Sequence, residues 1–140
     1  MRAARARLWR ALILTAYLLI CVAQNAALPL FEGADEGSHF VHLNYVAEHG
    51  RLPDLNVEMP DYESAQPPLY YLMAGALIAP IDRSNAAELT RLNPDWHDKS
   101  INPNRMHDSV VNLYLPTPDA NWPWQRAALA GHLARFFSAL

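Results

Sequence analysis

The longest uncharged stretch of the chain lies close to its N-terminus. From Ala11 to Phe31 no residue is charged, and the part up to Ala23 is almost wholly apolar. A helix needs about 20 apolar residues to cross a bilayer, so the pattern predicts a transmembrane helix over residues 11–31. The stretch follows four arginines, Arg2, Arg5, Arg7 and Arg10. Because basic residues favour the cytoplasmic side, residues 1–10 are predicted to be cytoplasmic and residues 32–126 to form an outer loop.

A signal peptide is the alternative interpretation of the same N-terminus. A basic tip, an apolar stretch of about a dozen residues and a small-residue site at Cys21-Val22-Ala23 fit that template as well. The run Leu18-Leu19-Ile20-Cys21 also resembles a lipoprotein box, although its isoleucine is bulkier than usual. Both interpretations place the body of the chain outside the cytoplasm. The apolar segment that begins at Ala127 is unusual for a secreted protein.

The first segment after the apolar stretch has the periodicity of an amphipathic helix. Residues 35–50 predict about three to four helical turns, with Phe40, Leu43 and Ala47 on one face and Gly50 as the C-terminal stop. Asp35 at the start suits the N-cap position, and the helix dipole favours Glu36 in the first turn.

Two further apolar segments predict helices. Pro68 opens a helix that Pro80 ends, and about a dozen apolar residues suit an interfacial helix rather than a bilayer span. Residues 127–140 are interpreted as the truncated start of a second transmembrane helix. Residues 110–115 alternate weakly and could form a short strand. The predicted fold class is therefore a mostly α membrane protein with juxtamembrane helices in a long outer loop.

The distribution of charge separates a basic tip from an acidic body. Four of the eleven Lys and Arg residues precede residue 11, so the remaining seven face all fourteen acids. This asymmetry argues against a nucleic-acid partner and supports orientation in a membrane. The single cysteine, Cys21, lies in the apolar stretch, which excludes a disulfide framework or a cysteine zinc site within this chain.

Acidic residues follow the apolar stretch at once. Glu32, Asp35 and Glu36 lie where a membrane helix would leave the bilayer, and carboxylates there cost desolvation energy, which favours a functional role. Such a carboxylate can serve as a general base or can fix an acceptor hydroxyl. Glu36, His39 and His42 are spaced by three and could share a helix face, which makes a divalent metal a candidate cofactor. Solvated histidines beside acids are the alternative, because this spacing is common by chance.

Three motifs together resemble a known family. Asp-Glu-x-x-His-Phe after the apolar stretch, a helix ending in His-Gly-Arg-Leu-Pro, and Gln-Pro-Pro-Leu-Tyr-Tyr-Leu resemble the first outer loop of the GT-C membrane glycosyltransferases. The similarity is to the bacterial branch related to protein mannosyltransferases and other family 39-like enzymes. It covers residues 8–82 and returns at residues 132–138.

The resemblance implies a reaction at the outer face of the plasma (inner) membrane. A sugar would pass from a polyprenyl-phosphate-linked donor among the membrane lipids to an unknown glycan, lipid or protein acceptor, with inversion at the anomeric carbon. Carried over to this sequence, Asp35 matches the catalytic acid and Glu36 its neighbour. His39, Gln66 and Tyr70 become candidate substrate-binding residues, because the Gln66–Tyr71 run matches the helix that covers the site.

The chain departs from the family pattern in extent. Family members have many membrane helices and bind the donor phosphate with basic residues from later loops, whereas one clear span is present in this sequence. We therefore expect a fragment that does not transfer sugar alone. The alternative from another functional class is a single-pass or secreted helical module that binds a partner or a carbohydrate without catalysis.

Overall fold

The computed structural model describes residues 2–33, 35–54, 58, 66–94 and 113–139, without the side chain of residue 3. These residues form five α-helices: α1 (Arg2–Ala27), α2 (Glu36–His49), α3 (Pro68–Ile78), α4 (Ala86–Leu89) and α5 (Arg126–Ser138). Within the described ranges there is no β-strand, and a single antiparallel bridge joins Leu92 to Tyr114. The predicted mostly α fold is confirmed. Part of the strand predicted over residues 110–115 lies outside the described residues.

Helix α1 is long and apolar enough to cross a membrane. Its segment Ala4–Ala27 has 24 residues and a mean hydropathy of 1.7, and its large side chains are exposed. A signal sequence would have the same length and composition. The helix ends at Ala27, short of the predicted Phe31, because Pro29 disfavours helical geometry in the residue before it. The chain then turns, and Phe31 adopts a left-handed φ of 67° that directs its ring into the core.

The predicted boundaries of α2 and α3 agree closely with the structure. Helix α2 ends at Gly50, whose left-handed φ of 65° and N–H bond to the carbonyl of Val46 close the last turn. Helix α3 begins at Pro68 and ends just before Pro80. Apolar side chains from these helices, from α5 and from the turn after α1 form one core: Leu30, Phe31, Phe40, Leu43, Val46, Tyr71, Ala74, Ile78, Leu89, Ala127, Ala128, Ala130 and Ala134.

Helices α2 and α3 approach most closely at Gly75. A Cβ atom at this position would lie 2.7 Å from Cγ1 of Val46 and 3.4 Å from the backbone nitrogen of Ala47. Neither atom is the end of a flexible side chain, so a larger residue could be accommodated only if the helices moved apart. The absence of a side chain at Gly75 therefore sets the distance between these two helices.

Helix α5 is fixed to the end of α1 by polar contacts. The Asn25 amide donates to the carbonyl of His132 at 3.0 Å, and its oxygen accepts from Nδ1 of the same residue at 2.9 Å. The Trp124 ring stacks on the His132 ring at 3.7 Å, and the Tyr17 hydroxyl donates to the carbonyl of Ala139. These bonds satisfy the polar atoms of two buried side chains, as burial requires.

Arg135 extends the connection from α5 to α2. Its guanidinium forms a bidentate ion pair with Glu36, with Nε 2.6 Å from Oε1 and Nη2 2.8 Å from Oε2. It also donates to the carbonyls of Leu28 at 2.7 Å and Pro29 at 2.9 Å. Both charged side chains are mostly buried, with 18% and 24% exposed. One side chain thus joins α5, α2 and the turn between α1 and α2.

The close approach at Gly75 generates a stability prediction. Replacing Gly75 with Val should lower the free energy of unfolding by about 2 kcal/mol, because overpacking in a close-packed contact costs roughly 1–3 kcal/mol. Intrinsic helix propensity differs little between Gly and Val, so the loss would come from packing. Thermal unfolding in detergent micelles, followed by helical circular dichroism, measures it. Ala76→Val, exposed on the same helix, should remain close to wild type, and equal effects of both variants would contradict the close approach.

The ion pair of Arg135 generates a second prediction. Arg135→Gln should lower the free energy of unfolding by about 2–3 kcal/mol, because it leaves the Glu36 charge mostly buried without its partner. Arg126→Gln is the matched control on the same helix, since the more exposed Arg126 pairs with Asp82 and Asp119 and donates to Ser84, and ion pairs near the surface contribute less. The same unfolding measurement compares the two. Indistinguishable midpoints would show that Arg135 does not hold the helices together.

Candidate functional site

A cavity of about 510 Å³ opens between α2, the beginning of α3 and α5. Its wall is formed by both polar and apolar residues: Phe31, Gly33, Asp35, Glu36, His39, Phe40, Leu43, Gln66, Pro67, Tyr70, Tyr71, Gly131, Ala134, Arg135 and Ser138. Among them are all five catalytic and substrate-binding candidates from the sequence. The structure therefore brings together Asp35, Glu36, His39, Gln66 and Tyr70 around one cavity near the end of α1.

The two adjacent acids have different environments. Both carboxylate oxygens of Glu36 bind Arg135, and Oε2 also accepts the backbone N–H of Phe31 at 2.9 Å. The Asp35 side chain is 66% exposed, and its Oδ2 lies 3.3 Å from Nε2 of His39. Glu36 is thus held by the fold, whereas Asp35 keeps accessible acceptor capacity.

Asp35 stands at the N-cap position of α2 without capping it. Its backbone has φ −132° and ψ 4°, and its side chain makes no capping hydrogen bond. The interpretation of Asp35 as a helix cap therefore does not describe its carboxylate, which pairs instead with His39 one turn further along the helix. Among the described residues, His39 is the side chain that this carboxylate contacts.

His39 also contacts α3. Its Nδ1 lies 2.6 Å from the Tyr71 hydroxyl, and Tyr71 is fully buried with 1% exposed. The ring of His42 stacks on the Tyr71 ring, with the two ring centroids 3.9 Å apart and the ring planes nearly parallel. Asp35, His39 and Tyr71 therefore form a continuous chain from the cavity opening into the core.

Tyr70 and Gln66 complete the polar part of the wall. Burial raises the pKa of the Tyr70 hydroxyl above its usual range. The hydroxyl donates to the carbonyl of Ala134 at 3.4 Å, so toward a ligand it offers an acceptor. The Tyr70 ring lies against Phe137 of α5, with ring centroids 6.2 Å apart. Gln66 lies half-buried at the entrance to α3, and its amide offers both a donor and an acceptor.

The candidate metal ligands are not arranged around one position. Glu36 is bound to Arg135, His39 is directed toward Asp35 and Tyr71, and His42 is buried against the Tyr71 ring. Over the part of the chain that the structure describes, no group of three or more His, Cys, Asp or Glu side chains could hold a metal ion. The shared helix face predicted from their spacing therefore does not produce a coordination site.

Arg135 and Tyr71 are the site residues that sequence reasoning did not assign. An arginine in an apolar segment requires a partner, because an unpaired buried charge is costly, but sequence gives no indication that the partner is Glu36, 99 positions away. Tyr71 follows Tyr70 in the same run, and only the packing of α3 on α2 distinguishes them. Neighbours in sequence thus differ in role because they face different helices.

The charge of the cavity wall depends on the contacts that Arg135 makes within the protein. It is the only Lys or Arg among the cavity-wall residues that the structure describes, and its N–H groups are directed to Glu36 and to backbone carbonyls. The ion pair cancels its charge, so Asp35 supplies the remaining carboxylate charge among the described residues of the wall. Such a wall favours a ligand with hydroxyl groups, which a carboxylate and neutral donors can bind.

Comparison with known proteins adds no relative to this arrangement. The chain matches no protein-family model, no curated protein and no solved structure. The candidate site is therefore defined by its own geometry: an exposed carboxylate, a buried ion pair and two tyrosines around a cavity beside the end of an apolar helix.

Proposed function

We propose that this chain is the N-terminal part of a membrane glycosyltransferase similar to the GT-C enzymes. It would transfer a sugar from a polyprenyl-phosphate-linked donor to a hydroxyl group of an acceptor on the outer face of the plasma membrane. Helix α1 would cross the membrane with its arginines in the cytoplasm. The observation that carries this proposal is the exposed Asp35 carboxylate on the wall of a 510 Å³ cavity, close to the end of α1.

The proposed role of Asp35 is that of a general base. The acceptor hydroxyl would attack the anomeric carbon, the bond from that carbon to the phosphate oxygen would break, and the lipid phosphate would leave with the bonding electrons. The hydroxyl proton would pass to a carboxylate oxygen of Asp35, and the configuration of the anomeric carbon would invert. A positioned base of this kind typically contributes 10²–10⁴-fold to a rate.

The other residues of the cavity would bind and orient the substrates. The Gln66 amide can donate to sugar hydroxyls, the Tyr70 hydroxyl can accept from them while it donates to the carbonyl of Ala134, and the rings of Phe31 and Tyr70 offer apolar surface. Glu36 is less suited than Asp35 to act as the base, because its two oxygens accept hydrogen bonds from Arg135. Its proposed role is to fix the beginning of α2, and thereby the position of Asp35.

The hydrogen bonds that Arg135 makes within the protein favour a second function. A phosphate leaving group needs positive charge, and Arg135 donates instead to Glu36 and to the turn after α1. If the protein itself supplies no other cation to this cavity, it would bind a neutral glycan without transferring it. The non-catalytic binding module therefore remains the competing proposal, and it predicts binding of uncharged oligosaccharides without release of lipid phosphate.

The catalytic role of Asp35 predicts a large effect of a nearly isosteric substitution. Asp35→Asn should reduce sugar transfer by about 10²-fold or more, because the amide cannot accept the proton. The full gene product, assayed in its own membranes with radiolabelled polyprenyl-phosphate sugars, provides the measurement. Glu48→Gln is the control, since Glu48 is an exposed acid of the same helix outside the cavity.

Two results would contradict the transferase proposal. Transfer by Asp35→Asn at the wild-type rate would remove Asp35 as the base. Absence of transfer by the wild-type protein with every donor, together with saturable binding of a neutral oligosaccharide that Asp35→Asn weakens, would establish the binding module instead.

A further inference from the structure

We infer that His39 is a positioning residue that holds the Asp35 carboxylate through a chain of polar contacts anchored at Tyr71. The chain consists of two contacts on opposite sides of one imidazole ring. Nε2 of His39 lies 3.3 Å from Oδ2 of Asp35, and Nδ1 lies 2.6 Å from the Tyr71 hydroxyl. This role differs from the substrate binding expected for His39 from the sequence, and it presupposes the transfer reaction proposed above.

The ionised carboxylate determines where the imidazole proton lies. A carboxylate only accepts hydrogen bonds, so Nε2 must carry a proton to make a favourable contact with Asp35. In the neutral ring Nδ1 is then an acceptor, and the Tyr71 hydroxyl donates to it. If Nδ1 carried the only proton, two acceptors would face each other across the 3.3 Å contact. The geometry therefore selects one tautomer, in which each donor has an acceptor.

Tyr71 is suited to anchor this chain because the core immobilises it. Its side chain is fully buried, the His42 ring stacks on it at 3.9 Å, and its neighbour Tyr70 packs edge-on at 5.4 Å. The position of its hydroxyl is therefore set by the packing of α3 on α2. The fixed hydroxyl orients the His39 ring, and this ring in turn restricts the Asp35 carboxylate, which is otherwise largely exposed.

A general base at Asp35 would need to be positioned by His39, because among the described residues His39 is the side chain that contacts its carboxylate. An exposed aspartate samples several rotamers, whereas a general base must lie within hydrogen-bond reach of the proton that it accepts. With Oδ2 directed at Nε2 of His39 at 3.3 Å, Oδ1 remains available to the acceptor hydroxyl. Small displacements at a reacting group can cost 10²-fold in rate, so the loss of His39 should slow the reaction even though Asp35 is present.

Two amide substitutions of His39 test its contact with Asp35 and its contact with Tyr71 separately. In His39→Gln the amide nitrogen can occupy the place of Nε2 and donate to Asp35, whereas in His39→Asn it occupies the place of Nδ1 and reaches only toward Tyr71. We expect His39→Gln to keep transfer within about threefold of wild type and His39→Asn to lose roughly tenfold or more, mainly in kcat. Both variants remove the imidazole, so a merely structural role would affect them alike.

The outcomes distinguish this inference from the proposed function. Equal transfer rates for His39→Gln and His39→Asn, with Asp35→Asn inactive, would overturn the role of His39 and leave the transfer reaction standing. Full activity of Asp35→Asn would instead contradict the proposed function. Thermal unfolding of each variant, compared with wild type, shows whether a lower rate follows from a smaller folded fraction.

Nitrogen-15 NMR of the 140-residue protein in detergent micelles tests the contacts of His39 without any assay of activity. We expect a protected Nε2–H resonance for His39, absent from His39→Gln, which assigns it, and lost through solvent exchange in Asp35→Ala. Tyr71→Phe should shift the Nδ1 resonance, because that nitrogen loses its donor. A proton on Nδ1 of the neutral ring in wild type, or an Nδ1 resonance unchanged in Tyr71→Phe, would overturn the inference.

Discussion

The ion pair between Glu36 and Arg135 connects α2, α5 and the turn after α1 through a single arginine side chain. Arg135 lies near the end of α5, Glu36 opens α2, and the same guanidinium binds carbonyls of the turn that follows α1. Both charges are mostly removed from water, so neither group can lose the other without a substantial cost. Glu36 and Arg135 both line the cavity, so this pair forms the part of its wall where α5 meets the beginning of α2.

The same ion pair creates the difference between the two acids. A cavity with two free carboxylates would repel an electron-rich acceptor and would leave its base undefined, whereas here one carboxylate is neutralised and the other remains accessible. As a consequence, the only cation of the described wall makes its hydrogen bonds within the protein. Transfer from a lipid phosphate would therefore depend on positive charge from elsewhere in the protein, whereas binding of a neutral glycan would not.

The local elements could be predicted from sequence because their signals are local. The periodicity before Gly50 gave the bounds of α2 closely, and the prolines at positions 68 and 80 gave those of α3. The end of α1 was placed too late because an uncharged run continues through Pro29 although the helix does not. Long-range pairing had no such signal: the partner of Arg135 and the burial of Tyr71 depend on how helices distant in sequence pack. The five candidate residues lie around one cavity, yet the spacing that suggested a metal site had no structural counterpart.

Adjacent carboxylates at a helix start are not interchangeable, because successive positions point in different directions. Asp35 precedes the first helical residue and has a non-helical backbone, so its side chain reaches His39 one turn ahead along the same helix. Glu36 is the first helical residue, and its longer side chain reaches across to α5 and back to the N–H of Phe31. A carboxylate moved from one position to the other would lose both sets of partners. The two acids are therefore separate groups: Glu36 joins the beginning of α2 to α5, and Asp35 projects toward His39, which in turn contacts Tyr71.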